Sequence, residues 1–178
     1  MLKAIETNYA GRRFRSRREA RWAILFDHLH IDWRFEPEGY YLPGNQMYLP
    51  DFELHLPTGR VWVEVKPDLT HYGQLSSLCT ESERPGVLVA EPMTKANLVP
   101  VGPDGSWLES RSVGGWLAQV TGQDVLSITA ASNAALSARW EHGEKPRRPS
   151  KPGGRGPRAY QKAVSLLHES SSPAFGAF

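Results

Sequence analysis

Apolar and polar residues alternate most strictly in the stretch RVWVEVK, from Arg60 to Lys66. In an extended chain the three valines point to one side, and the side chains of Arg60, Trp62, Glu64 and Lys66 point to the other. This period of two predicts a strand whose valine face lies in the core. It also places an acidic and a basic side chain on the same face near the end of the strand.

A second strand is predicted just upstream, over Phe52–Leu56, with Met47–Leu49 leading into it. Residues 57–59, Pro-Thr-Gly, supply the turn, since proline fixes φ and glycine accepts a left-handed conformation. A hairpin of this length brings Asp51, at the start of the first strand, close to Glu64 on the second.

The other elements are predicted from apolar periodicity and from turn residues. Ser16 with Glu19 three residues later is a capping box, which opens a helix to about His30. Gly86–Glu91 is a continuous apolar run, which predicts a buried strand parallel to Arg60–Lys66. Further predictions are a strand over 32–37, a crossover helix over 71–83, an edge hairpin of 97–101 with 106–109, an amphipathic segment over 113–120, and helices over 129–141 and 159–169.

Together these elements predict an α/β fold in which a small mixed sheet is flanked by helices. We expect residues 1–115 to form the core, 116–142 a helical extension, and 143–178 a basic Pro/Gly-rich tail that is mostly disordered. In the Ala-rich helix of the extension, Ala135, Arg139 and His142 are expected to face outwards, with Leu136 and Trp140 packing inwards.

The composition argues against several classes of protein. The 178 residues contain no run of about twenty apolar positions and no apolar signal core at the start, so we expect a cytoplasmic protein without a membrane partner. The lone cysteine, Cys79, excludes an internal disulfide and a zinc site built on cysteine pairs, and we expect a buried thiol. The six histidines lack metal-ligand spacing.

The formal net charge of +2 conceals basic ends on an acidic body. Residues 1–21 hold seven Lys and Arg against two Glu, and residues 143–158 hold six against one. Residues 22–142 hold seven basic against fifteen acidic residues. This division predicts contact with a polyanion at two places, although charged ends that only aid solubility are the alternative.

Asp51, Glu64 and Lys66 form the candidate chemical site. Two carboxylates close together repel each other and shift each other's pKa unless a cation lies between them. Oxygen ligands with open positions suit Mg²⁺ or Mn²⁺, and a neighbouring lysine can orient water or stabilise charge on a phosphate. Asp51 as a turn residue, and Glu64 with Lys66 as a salt bridge on a solvated sheet, are the alternatives.

These residues resemble a known family. Pro50-Asp51 and Glu64-Val65-Lys66, with twelve residues between Asp51 and Glu64, are similar to the motif of the PD-(D/E)xK nucleases. The upstream stretch FRSRREARWA, 14–23, resembles the helix that precedes this core in small phage and bacterial members, and in the end-cleaving endonuclease subunits of some transposons. The resemblance covers roughly the first half of the chain.

The resemblance implies a restriction-endonuclease-like core and a Mg²⁺-dependent (or Mn²⁺-dependent) DNA endonuclease that leaves 5′-phosphate and 3′-hydroxyl ends. Asp51, Glu64 and the Val65 carbonyl would bind the metal, and Lys66 would steady the attacking hydroxide or the scissile phosphate. Glu19 would help to position a second metal or the water. The alternative for Glu19 is that it only caps its helix.

DNA is the expected partner, with a homodimer or a protein partner supplying specificity. We predict that an arginine cluster tracks the DNA backbone in a sequence-independent, salt-sensitive way. Its members are Arg12, Arg13, Arg15, Arg17 and Arg18. Two other hypotheses stay open. One is a non-catalytic nucleic-acid-binding protein with the same fold, and the other is an enzyme acting on RNA or on branched junctions.

Overall fold

The structure is a computed structural model that describes residues 5–69, 72–92, 94–141 and 143–150. The strands within these ranges are β1 (Thr7–Tyr9), β2 (Arg12–Phe14), β3 (Asp32–Phe35), β4 (Tyr40–Leu42), β5 (Gln46–Tyr48), β6 (Phe52–Leu56), β7 (Gly59–Val65), β8 (Gly86–Val89), β9 (Asn97–Val101) and β10 (Arg111–Ser112). The helices are α1 (Arg17–His28), α2 (Gly73–Ser82), α3 (Val113–Thr121) and α4 (Val125–Ser137). The predicted helix over 159–169 and most of the predicted tail lie outside the described residues.

Six strands form one mixed sheet in the order β10-β9-β8-β7-β6-β3. The β7–β8 pair is parallel and joined through α2, as predicted, and the other pairs are antiparallel. Two small hairpins, β1–β2 and β4–β5, stand outside this sheet. The fold is therefore mixed α/β, with β7 and β8 in the middle of the sheet.

The strict alternation of β7 places its side chains as the sequence predicts. Val61 and Val63 pack into a large apolar cluster with α1, α3 and α4, whereas Trp62 packs on the other side of the sheet with Leu75 and Leu78 of α2. Both faces of the sheet are thus covered, because helices lie on each of them. The face that carries Glu64 is the face covered by α2 and the β4–β5 hairpin.

The first helix begins and ends close to the predicted positions. Ser16 is its N-cap, and its hydroxyl oxygen accepts a hydrogen bond from the Glu19 N–H at 3.2 Å. The buried face includes Trp22, Leu25 and Phe26, which lie on the sheet. None of the helices in the described ranges has the length and apolar content needed to cross a membrane.

The predicted edge hairpin has a different second strand. Residues 106–109 make one isolated bridge, between Trp107 and Val101, while Arg111 and Ser112 of β10 pair with β9. The turn closes near its predicted place, where the Gly102 N–H donates to the Ser106 carbonyl at 2.8 Å and the Asp104 carboxylate accepts from the N–H and hydroxyl of Ser106. The Val101–Trp107 and Leu98–Arg111 pairs differ in register by one residue, so the continuous strand begins only at Arg111.

The Ala-rich helix is shifted and rotated relative to its prediction. Asp124 caps its start by accepting a hydrogen bond from the Ser127 N–H at 2.8 Å, and the backbone becomes extended at Ala138. Ala135 is fully buried against the core, so the prediction that it faces outwards is wrong. Alanines lie on every side of this helix, so the sequence gives little contrast in hydrophobicity between its faces. Packing on α1 decides that the face with Ile128 and its neighbours is the buried one. The predicted extension therefore shares the core of α1.

The start of the predicted tail contacts the core at Asp27. This buried carboxylate of α1 accepts hydrogen bonds from Tyr9 at 2.9 Å, from the Trp33 indole at 3.0 Å and from Arg148 at 2.8 Å. A buried charge requires such donors, and here one of them comes from residues 143–150. This contact links the beginning of the predicted tail to α1, and the domain boundaries stay a prediction.

Candidate active site

The register of β6 and β7 brings Asp51 and Glu64 together. Phe52 pairs with Val63, so the next position towards the end of the sheet sets Asp51 beside Glu64 on the same face. Both carboxylates are buried, at 2% and 1% exposure. The Val65 N–H donates to Asp51 Oδ2 at 2.8 Å and holds that side chain against β7.

Glu64 is held from two sides. The Tyr48 hydroxyl donates to Glu64 Oε2 at 2.5 Å, and Lys66 forms an ion pair with Glu64 Oε1. The Lys66 ammonium also lies 4.5 Å from the centre of the Tyr72 ring, a cation–π contact. Lys66 is therefore fixed between a carboxylate and an aromatic face, with 30% of its side chain exposed.

Arg15 supplies a second positive charge to the site. Its Nη2 donates to Asp51 Oδ1 at 3.0 Å, and its Nε forms an ion pair with Glu36 at 2.8 Å. Arg15 lies between β2 and α1, and its side chain reaches Asp51 from there. Arg15 was predicted as part of a DNA-tracking cluster, and the structure brings it into contact with a predicted metal ligand.

The surroundings of Asp51 alter its protonation. Burial, followed by the charge of Glu64, raises the pKa of Asp51 to about 7, against the opposing influence of Lys66 and the Val65 N–H. Burial raises the pKa of the Tyr48 phenol still further out of the neutral range, so Tyr48 stays a hydrogen-bond donor. Burial lowers the pKa of Lys66, but the charge and hydrogen bond of Glu64 outweigh burial and leave it raised.

Glu19 is used by the cap of its helix. Its Oε2 accepts a hydrogen bond from the Arg15 N–H at 2.9 Å, and its Oε1 accepts one from the Ser16 hydroxyl at 2.9 Å. Its charge still reaches the site, because it contributes to the raised pKa of Asp51. Participation of Glu19 in metal binding stays a prediction, as does that of the Val65 carbonyl.

The other arginines of the predicted DNA-tracking cluster lie outside the site. Arg13 pairs with Glu6, Arg17 with Glu141 and Arg18 with Glu91, while the Arg12 guanidinium lies 5.6 Å over the Trp33 ring. Their contact with DNA stays a prediction, and it requires these arginines to exchange or share their carboxylate partners.

The sequence interpretation missed two tyrosines of the site. Tyr48 and Tyr72 lie outside the β6–β7 hairpin and reach it because the β4–β5 hairpin and the start of α2 cover this face of the sheet. Their rings are 6.1 Å apart. A weak signal was present, since Tyr48 precedes the Pro50-Asp51 motif by only a few residues, but no periodicity connects it with Glu64.

The carboxylates present fit a hard divalent cation. No group of three or more His, Cys, Asp or Glu side chains arranged to hold a metal is found among the described residues. Asp51 and Glu64 nevertheless form a buried acidic pair, and Mg²⁺ is commonly held by one or two carboxylates with water completing its coordination. Burial and the charge of Glu64 raise the pKa of Asp51, and a divalent cation between the two carboxylates would favour their charged forms.

Comparison with known proteins identifies no relative of this chain. A scan against protein-family models, a search of curated proteins and a search of solved structures each found no match to the chain. The motif residues and their arrangement in the fold are therefore the basis for inferring a function.

Proposed function

We propose that the protein is a Mg²⁺-dependent DNA endonuclease of the PD-(D/E)xK type, with a restriction-endonuclease-like core. One observation carries the proposal. Asp51 and Glu64 from adjacent strands lie side by side, buried, on the same face of the sheet as Lys66. A salt bridge on a solvated sheet surface would leave these carboxylates exposed, and their burial argues against that alternative.

Each residue of the site has a role in the proposed reaction. Asp51 and Glu64 would hold the metal, with the Val65 carbonyl as a further ligand. When bound, Mg²⁺ would supply Lewis-acid polarisation of the phosphate and a more acidic water. Lys66, which is held by Glu64 and Tyr72 and is partly exposed, would donate to the attacking hydroxide or to a phosphate oxygen.

The products and the substrate follow from the same hypothesis. In-line attack of water on the phosphorus atom would leave a 5′-phosphate and a 3′-hydroxyl end. Arg12, Arg13, Arg17 and Arg18 would contact phosphates in a salt-dependent manner. Specificity would come from a second copy of the chain or from a protein partner.

A non-catalytic nucleic-acid-binding protein is the second candidate. One observation favours it, because all four carboxylate oxygens of Asp51 and Glu64 already have a protein partner. In this reading the acidic pair is neutralised by Arg15 and Lys66 and serves the fold alone. A nuclease acting on RNA or on branched DNA would have the same site and differ only in substrate.

Plasmid nicking distinguishes these candidates. The wild-type chain is incubated with supercoiled plasmid and Mg²⁺ or Mn²⁺, beside Asp51→Asn and, as a control, Glu81→Gln on the exposed side of α2. We expect nicking by the wild type and the control, and its loss in Asp51→Asn with an unchanged circular dichroism spectrum. Binding of DNA without cleavage under either metal would support the binding protein instead, and matched linear, single-stranded, RNA and four-way substrates would identify the preferred one.

A further inference from the structure

The predicted metal ligand Asp51 is already paired with a positively charged side chain, that of Arg15. Arg15 Nη2 lies 3.0 Å from Asp51 Oδ1, and the side chain of Arg15 is 59% exposed. A second acceptor, Glu36, holds the Nε of the same guanidinium at 2.8 Å. Arg15 therefore bridges a buried carboxylate inside the site and a half-buried carboxylate at its edge.

The other partners of the acidic pair are held more tightly. The Val65 N–H belongs to β7 itself, and Tyr48 is a buried side chain of a small hairpin. Lys66 is held between Glu64 and the Tyr72 ring. Of the four groups that contact the carboxylate oxygens, Arg15 has the most exposed side chain and a second acceptor to which it can withdraw.

Charge balance makes Arg15 a competitor of a metal ion. Arg15 and Lys66 place two positive charges directly against the two carboxylates, so a divalent cation entering beside both guanidinium and ammonium would meet repulsion. Loss of Arg15 alone would leave the buried Asp51 carboxylate uncompensated, but an entering divalent cation replaces the lost charge and Glu36 remains available to Arg15. Release of Arg15 from Asp51 is consequently the least costly way to admit the ion.

We propose that Arg15 is the exchangeable counter-cation of Asp51, which occupies this carboxylate in the metal-free protein and must withdraw towards Glu36 when a divalent cation binds. Arg15 thus lowers the affinity of the site for metal. The inference depends on the metal site of the proposed function, but it does not depend on DNA cleavage.

The test measures Mn²⁺ binding to the full chain by isothermal titration calorimetry, at pH 8 and without nucleic acid. Arg15→Gln removes the charge and keeps a side chain of similar polarity, and we expect it to bind Mn²⁺ roughly three- to tenfold more tightly than the wild type. Arg15→Lys keeps the charge and should stay within about twofold of the wild type. Asp51→Asn should abolish the binding, which identifies the site being measured.

Arg60→Gln is the matched control. Arg60 is also a half-exposed arginine paired with a buried carboxylate, Glu53, on the same face of the sheet but away from the acidic pair. Its removal deletes the same charge from the molecule and should leave Mn²⁺ affinity unchanged. An equal gain in Arg60→Gln would show a general charge effect and would overturn the inference.

The remaining outcomes separate the inference from the proposed function. Unchanged or weaker Mn²⁺ binding by folded Arg15→Gln overturns the inference, even if the wild type cleaves DNA. Tighter binding by Arg15→Gln supports it, even if the wild type never cleaves DNA and the nuclease proposal fails. Absence of Asp51-dependent Mn²⁺ binding in all variants overturns it. If Arg15→Gln does not fold, Arg15→Met is measured in its place, and the same two results decide.

Discussion

Two buried acidic clusters on one face of the sheet show what distinguishes a candidate site from a structural ion pair. Glu53 of β6 contacts Arg60 at 3.2 Å, Arg84 at 3.1 Å and His55 at 3.1 Å, so one carboxylate has three basic neighbours. Two residues earlier, Asp51 lies beside a second carboxylate, Glu64, and within the described part of the chain their ion pairs are with Arg15 and Lys66.

The difference lies in the pairing of the carboxylates. Glu53 and Asp51 are equally buried, at 3% and 2% exposure, and both are bound by arginine. Only the acidic pair combines mutual repulsion with desolvation, and this combination raises the pKa of Asp51 to about 7. A single buried carboxylate with basic neighbours therefore says little about function, whereas two buried carboxylates side by side repel each other, and a divalent cation between them would relieve that repulsion.

The largest expected effect is a difference in plasmid cleavage between a variant of the acidic pair and a variant of the Glu53 cluster. Glu64→Gln removes a proposed metal ligand and the partner of Lys66, so we expect plasmid cleavage to fall by about 10²–10³-fold. Glu53→Gln removes an equally buried charge and should keep the rate of cleavage per folded molecule within about threefold of the wild type. Nicking rates at saturating Mg²⁺ measure both, and a similar loss in the two variants would erase the distinction.

The next effect concerns stability, and here the larger loss is expected at Glu53 and not at the acidic pair. Glu53→Gln leaves Arg60 and Arg84 without their shared carboxylate, and we expect it to lower the free energy of unfolding by about 2 kcal/mol. Urea denaturation in EDTA gives this value. A loss below about 0.5 kcal/mol would mean that the arginines are fully hydrated without Glu53.

Tyr48→Phe tests the positioning of Glu64 within the acidic pair. The variant keeps the ring but loses the hydrogen bond to Glu64 Oε2, so the carboxylate is less well oriented. We expect kcat to fall by about tenfold with little change in the KM for DNA, together with weaker Mn²⁺ binding. Tyr40→Phe, whose hydroxyl bonds the exposed Glu38, is the control and should change neither. A rise in KM alone would point to a contact with DNA instead.

The smallest effect is a gain of stability at the acidic pair. The pKa of Asp51 is raised from 3.8 to about 7, so the folded chain holds this proton more tightly than the unfolded chain does. The resulting stabilisation is fully present below about pH 4 and is lost as the pH rises through 7. Asp51→Asn cannot ionise, so in EDTA at pH 8 we expect it to exceed the wild type by on the order of 1 kcal/mol.

Urea denaturation at pH 4.5 and pH 8 checks this sign. The wild type should lose more stability than Asp51→Asn between the two pH values, and added Mn²⁺ should restore part of that loss in the wild type only. A variant that is less stable than the wild type at pH 8 would show that Arg15 and Lys66 already compensate the charge of Asp51.

The β6–β7 hairpin, the faces of β7 and the start of α1 could be predicted from the sequence. Each depends on interactions between near neighbours: alternation of Val61, Val63 and Val65, the turn at residues 57–59, and the cap formed by Ser16 and Glu19. Asp51 and Glu64 are also linked by this short hairpin. Local stereochemistry is enough to bring them together, because the period of a strand leaves little choice of face.

Only the tertiary structure decided which groups surround the acidic pair. Arg15 is 36 residues from Asp51 along the chain, and Tyr48 reaches Glu64 through a separate hairpin that folds over the sheet. The inward face of α4 was likewise chosen by packing against α1. Contacts of this kind depend on how the elements pack, for which no short-range pattern exists. The sequence by itself therefore determined the pair of carboxylates and the lysine, and the packed fold determined which cations and donors they contact.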